Sequence, residues 1–130
     1  MSQRVLVVDD EEGVRRTIDK VLSLEGFKVT TVSDGNRALR ILDGDVFDLL
    51  VVDIYMPDLD GIGLMRELRR RQDSTPVLAV SGGGESPHAF DSQGALAVAR
   101  AFGAAVLPKP FTVDELLDGV RRALNGGAAP

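Results

Sequence analysis

Residues 47–61 read FDLLVVDIYMPDLDG, an apolar run that stops on an acid, Asp53. Phe47 and the uncharged residues Leu49 to Val52 have the composition of a strand covered on both faces. The residues beyond the acid, Met56-Pro57, Asp58 and Asp60-Gly61, carry loop chemistry. An acid at the carboxyl end of a buried parallel strand occupies the position where open α/β sheets place their sites. Four other segments of the chain are arranged to serve this acid, and the reading of the whole depends on that coincidence.

The first strand is Arg4 to Val8 (RVLVV), closed by Asp9-Asp10-Glu11-Glu12. From Gly13 the period becomes helical, with Val14, Ile18, Val21 and Leu22 on one stripe until Glu25-Gly26 stops it. Phe27 to Val32 is more polar and suits an edge strand, and Asp34 can cap a second helix that ends near Gly44. Gly61 to Arg71 is the third helix. Val77 to Val80 is the fourth strand, closed by Ser81 and three glycines. A fourth helix is expected over Gln93 to Phe102, capped by Asp91 or Ser92, and a fifth strand over Ala104 to Leu107, closed by Pro108-Lys109-Pro110. Thr112 to Glu115 is a capping box opening a fifth helix, whose Val113, Leu116, Leu117, Val120 and Leu124 form one stripe. Five strands alternating with five helices predict an α/β fold: a (βα)5 doubly wound parallel sheet of order 2-1-3-4-5, a flavodoxin-like three-layer sandwich. The apolar character of strand five fits an edge position poorly.

The 130 residues suit one domain, expected over 1–125 with a flexible tail over 126–130. No apolar run approaches the ~18 residues of a membrane span, and no signal peptide opens the chain, so no membrane contact and a cytoplasmic location are expected. With no cysteine, disulfides, thiolate metal sites and thiol nucleophiles are excluded. The net charge is −5 and the only basic cluster, Arg66 to Arg71, reads as a solvated helix end, so no direct nucleic-acid contact is expected.

In the 2-1-3-4-5 order, Asp9, Asp10, Asp53, Ser81 and Lys109 converge on one rim. Each alone has a plain explanation: acids serving a helix dipole, a loop hydroxyl, a solvated lysine. Together they describe a chemistry. Clustered carboxylates repel unless a cation joins them, and oxygen donors without His or Cys select Mg²⁺ or its relatives. Lys109 adds a point positive charge and Ser81 a hydroxyl donor, the equipment for holding a phosphoryl group on Asp53. His88, in a Ser/Pro/Gly-rich loop, is assigned no role, and Gly82-Gly83-Gly84 lacks the spacing of a P-loop.

The ordered set Val8-Asp9-Asp10, Asp53 to Gly61, Ser81 and Lys109-Pro110-Phe111 resembles that of bacterial response-regulator receiver domains, over essentially the whole chain, in the manner of a single-domain, chemotaxis-regulator-like protein. The resemblance implies two-component phosphorelay signalling. Asp53 would accept a phosphoryl group from a sensor histidine kinase or a phosphotransfer protein, and the switched surface around helix four, strand five and helix five would control a downstream partner. It implies Mg²⁺ held by Asp10, Asp53 and the backbone carbonyl of Tyr55, with Asp9 acting through water. Ser81, Gly82 and Lys109 would serve as phosphoryl-binding and switch residues, and Lys109-Pro110 would be cis. The protein would be a monomer or weak homodimer and no enzyme beyond weak autophosphorylation and autodephosphorylation. Two departures stand out. Position 106, where the family commonly carries an aromatic switch residue, is Val106. The segment after Ser81 is long and glycine-rich, and mobility is expected over Gly82 to Phe90. The competing reading is a Mg²⁺-dependent aspartyl-phosphate phosphatase or phosphotransferase; against it, Tyr55 stands where such enzymes want a second acid.

Overall fold

The computed structural model describes residues 2–56, 59–81 and 92–126. The expectations placed on Gly82, on the mobility of 82–90, on a cap at Asp91 and on all but the first residue of the 126–130 tail fall outside these residues. Five strands and five helices alternate: β1 (Arg4–Val8), α1 (Glu12–Leu24), β2 (Lys28–Val32), α2 (Gly35–Gly44), β3 (Leu49–Asp53), α3 (Gly61–Arg70), β4 (Val77–Ser81), α4 (Ser92–Ala101), β5 (Ala105–Pro108) and α5 (Val113–Leu124). The strands form one parallel sheet in the order β2-β1-β3-β4-β5, the flavodoxin-like arrangement. Each crossover is a helix, as parallel pairing requires.

The period-2 alternation of the strands divides the core. Val5, Val7, Leu49, Val51, Leu78, Val80, Ala105 and Leu107 pack against Ile18 and Leu22 of α1 and Leu116, Val120 and Ala123 of α5. On the opposite face Leu6, Val8, Leu50 and Val52 meet Ala38 of α2 and Leu64 and Leu68 of α3. Beside them Ala79 and Val106 meet Met65 of α3 and Leu96 and Ala99 of α4. This explains the apolar edge strand: β5 is covered on one face by α5 and on the other by α4, so it is buried although only β4 pairs with it. β2, the other edge, is only half-buried, as its threonines suggest.

Helix ends follow local chemistry. Gly26, at φ +96°, closes α1 in a conformation that side chains with a Cβ avoid. Asp34 caps α2 by accepting from the Arg37 amide at 2.8 Å. Asp60 caps α3 by accepting from the Gly63 amide at 2.7 Å. The capping box of α5 is complete: Thr112 Oγ1 accepts from the Glu115 amide at 3.1 Å and Glu115 Oε1 from the Thr112 amide at 2.9 Å. Thr112→Ala is expected to lose about 1 kcal/mol of stability in urea denaturation.

The basic end of α3 is engaged within the molecule. Arg69 stacks 4.4 Å from the Phe102 ring centroid. Arg70 and Arg71 bond Glu67, and Arg71 also reaches Asp43 of α2. Exposed pairs of this kind contribute little to stability. Among the described residues no helix is long and apolar enough to cross a membrane.

Candidate functional site

The sheet register gathers the site. Val8 pairs with Val52, so Asp9, one residue on, stands beside Asp53. Asp53 pairs with Val80, and Ser81 pairs with Pro108, which puts Ser81 and Lys109 next along the same rim. The Lys109 amide donates to the Ser81 carbonyl at 2.8 Å, and the Lys109–Pro110 peptide is cis.

Oxygens of Asp9, Asp10 and Asp53 all lie within 4.8 Å of one another, with Asp9 and Asp53 buried and Asp10 exposed. Lys109 Nζ stands 3.4 Å from Asp9 Oδ2, 3.5 Å from Asp53 Oδ2 and 3.6 Å from Glu11 Oε1. Its side chain is 11% exposed, so the ammonium is not simply solvated. The backbone fixes the two buried acids: the Glu11 amide donates to Asp9 Oδ1 at 2.9 Å and the Tyr55 amide to Asp53 Oδ1 at 3.1 Å. Ser81 is the last residue of β4 rather than a loop residue. It is 1% exposed, and its hydroxyl has no hydrogen-bond partner among the described residues. A buried hydroxyl left this way costs free energy that an incoming acceptor would recover.

Burial first, and then the Asp9 charge, raise the Asp53 carboxyl to about 7 against the opposing pull of Lys109 and the Tyr55 amide. Burial also raises Asp9, against the Glu11 amide and Lys109. For Lys109, burial works against the charge, but Asp53, Asp9 and Glu11 outweigh it and hold the ammonium above its usual range. Three carboxylates thus face one lysine in a poorly hydrated rim. The hard oxygen donors and the surplus negative charge fit a hard divalent cation, and the acidic cluster could hold a metal ion.

Two participants escape a reading of the sequence. Glu11 reaches Lys109 and bonds Asp9 through its amide, while Arg15 Nη1 donates to the Asp9 carbonyl at 2.8 Å. The available signal was the four-residue spacing of Glu11 and Arg15, one helical turn, directly after the acid pair. Val106 lies in the sheet as expected from its position, but it is 6% exposed and packed among Ala79, Leu96 and Ala99.

The model of the family described as "Response regulator receiver domain" matches residues 5–121. The response regulator MprA of Mycobacterium ulcerans is 39% identical over 126 residues, covering 96% of this chain and 51% of that protein. The chain therefore spans about half the length of the curated relatives it matches. Among solved structures, the receiver domain of Francisella response regulator 1452 superposes with a TM-score of 0.80 at 30% identity, covering 95% of this chain and 98% of that one. The chemotaxis protein CheY4 of Vibrio cholerae gives 0.80 at 28% identity, covering 95% and 99%.

Proposed function

The chain belongs to the response-regulator receiver family, and from that premise we propose that Asp53 is a phosphoryl acceptor serving a Mg²⁺-dependent two-component switch. The observation that carries the reading is the convergence of Asp9, Asp10 and Asp53 within 4.8 Å, beside Lys109 and a buried Ser81 hydroxyl that has no partner among the described residues. Asp10, Asp53 and the Tyr55 carbonyl would hold the ion, and Asp9 would act through water. When bound, Mg²⁺ supplies positive charge against the phosphoryl oxygens and against the three carboxylates.

The residues then divide the work. A carboxylate oxygen of Asp53 attacks phosphorus as the phosphorus–nitrogen bond of a kinase phosphohistidine breaks, and the leaving imidazole takes up a proton. Lys109 neutralises the transferred oxygens, and the Ser81 hydroxyl and the Gly82 amide donate to them. Water attacking the same phosphorus returns inorganic phosphate and the Asp53 carboxylate. The added charge draws Ser81 inward and shifts a two-state equilibrium expressed at α4, β5 and α5, where a downstream protein docks. The donor is a sensor histidine kinase or a phosphotransfer protein, and the only turnover is this acceptance and loss of the phosphoryl group.

Incubation with Mg²⁺ and acetyl phosphate is expected to add one phosphoryl group by intact-mass spectrometry. None should appear on Asp53→Asn or in the presence of a chelator. An unmodified wild-type protein, or an adduct that persists in Asp53→Asn, overturns the assignment.

A further inference from the structure

We propose that the ring of Tyr55 is the positioning element that carries the state of Asp53 into the packing of α4. The inference rests on the phosphoacceptor reading of Asp53 and addresses how this chain transmits the event with a valine at position 106.

Tyr55 belongs to two environments at once. Its amide donates to Asp53 Oδ1 at 3.1 Å, so its backbone is tied to the carboxylate that would be modified. Its side chain is partly buried against the cluster of Ile54, Met65, Ala79, Leu96, Ala99, Ala104 and Val106. That cluster joins β4, β5 and Ile54, the residue just past β3, to α3 and α4, and Leu96 and Ala99 are the α4 residues buried in it. Converting the carboxylate to an acyl phosphate changes the charge and the lone pairs that the Tyr55 amide faces. A change at that bond is a change in where the ring sits.

The composition of the cluster gives the ring room to matter. Ala79, Ala99 and Ala104 are small, and Val106 offers no ring of its own. The described aromatics distribute unevenly: Phe27 and Phe111 pack on the α1/α5 face and Phe47 on the α2/α3 core. On the α3/α4 side stand Tyr55 and Phe102, and Phe102 is held beneath the stacked Arg69 guanidinium at 4.4 Å. Tyr55 is therefore the large side chain that reaches this cluster from the acceptor loop. A rigid ring moving among small neighbours displaces them as a unit, because packed interiors re-seat rather than compress. Ser81 adds a second moving part. By the strand period it faces the same side of β4 as Ala79, and its buried hydroxyl has no partner among the described residues to give up.

The chain has one tyrosine and no tryptophan, so near-ultraviolet circular dichroism and ring proton resonances at the tyrosine frequencies report on residue 55 alone. With Mg²⁺ and acetyl phosphate, and the adduct fraction counted by intact mass, the tyrosine signal is expected to shift in proportion to that fraction. Amide exchange over Leu96 to Ala101 should change by at least about fivefold, the low end of ordinary coupling between sites. In Tyr55→Leu, exchange over the same amides, normalised to the phosphorylated fraction, should match that of unmodified protein, and Tyr55→Phe should restore the response. A phosphorylated wild type whose tyrosine signal does not move overturns the inference, without recourse to any variant. So does an α4 that responds in Tyr55→Leu as in the wild type. If no adduct forms on the wild type, the reading of Asp53 falls and this inference falls with it.

Discussion

In a buffer containing a chelator, the protein is expected to lose about 3 kcal/mol of stability as the pH rises from 5 to 8. The Asp53 carboxyl is raised from 3.8 to about 7 in the folded state, so between those values the folded chain holds a proton that the unfolded chain has released. Stability then falls with rising pH through that window, at 1.36 kcal/mol per pKa unit. Asp9 is displaced in the same direction and deepens the loss. Lys109, raised above its usual range, contributes stability that is fully present across this window and is lost only at more alkaline pH. Glu67, held down to about 2 by Arg70 and Arg71, works in the opposite sense at acid pH, but it is exposed and its share is small. If the cluster holds Mg²⁺ as proposed, the ion would bind its deprotonated form, so Mg²⁺ should restore stability at pH 8 and have little effect at pH 5, where Asp53 is largely protonated. Asp53→Asn should flatten the profile and, in chelator at pH 8, be more stable than the wild type, because the buried repulsion is gone. Urea denaturation at the two pH values, with and without Mg²⁺, decides the matter. A flat wild-type profile, or an equal Mg²⁺ effect at both pH values, contradicts the electrostatic account.

Gly61→Ala is expected to cost about 3 kcal/mol, the upper end of overpacking effects, and to lower Tm by roughly 10 °C. A Cβ at this position would stand 2.6 Å from the Asp53 carbonyl oxygen and 2.8 Å from Ile54 Cα. Both are backbone atoms, so no rotamer change relieves the clash. The Gly61 amide also donates to the Ile54 carbonyl at 3.0 Å, which ties the start of α3 to the end of β3. Relief therefore requires α3 to lift or the acceptor strand to shift, and acyl phosphate formation should slow along with the loss of stability. Gly13→Ala is the matched control. A Cβ there meets nothing within 4 Å and lies inside α1, so the same chemical change should stabilise by about 0.5–1 kcal/mol. Thermal melts of the two variants should move in opposite directions; a tolerated Gly61→Ala would show that the acceptor loop is looser than its contacts suggest.

Much of the architecture follows from local pattern. The apolar runs at 4–8, 49–52 and 77–80 stop on acids or a hydroxyl, the helical stripes between them are clear, and the caps at Asp34 and Thr112 hold in place. Because parallel strands joined by helices leave few topologies, the rim that gathers Asp9, Asp53, Ser81 and Lys109 was legible before any coordinate. What the chain alone could not state is quantitative or long-range. Asp9 and Asp10 are adjacent and chemically identical, yet one is buried and the other exposed, since burial depends on which face neighbouring elements cover. The rise of Asp53 to about 7 needs the whole surrounding volume, not the nearby residue types. The apolar β5 is an edge strand whose two faces are closed by α4 and α5, helices assembled from segments on either side of it. Tyr55 touches both Asp53 and the cluster holding Leu96 and Ala99 only because its backbone and its ring fall in different environments. Sequence by itself determined the order of the elements and the chemistry at their ends, because those depend on neighbours a few positions away. Tertiary structure decided which of these groups lose water and which side chains touch across the sheet, because desolvation and packing are set by residues distant in the chain.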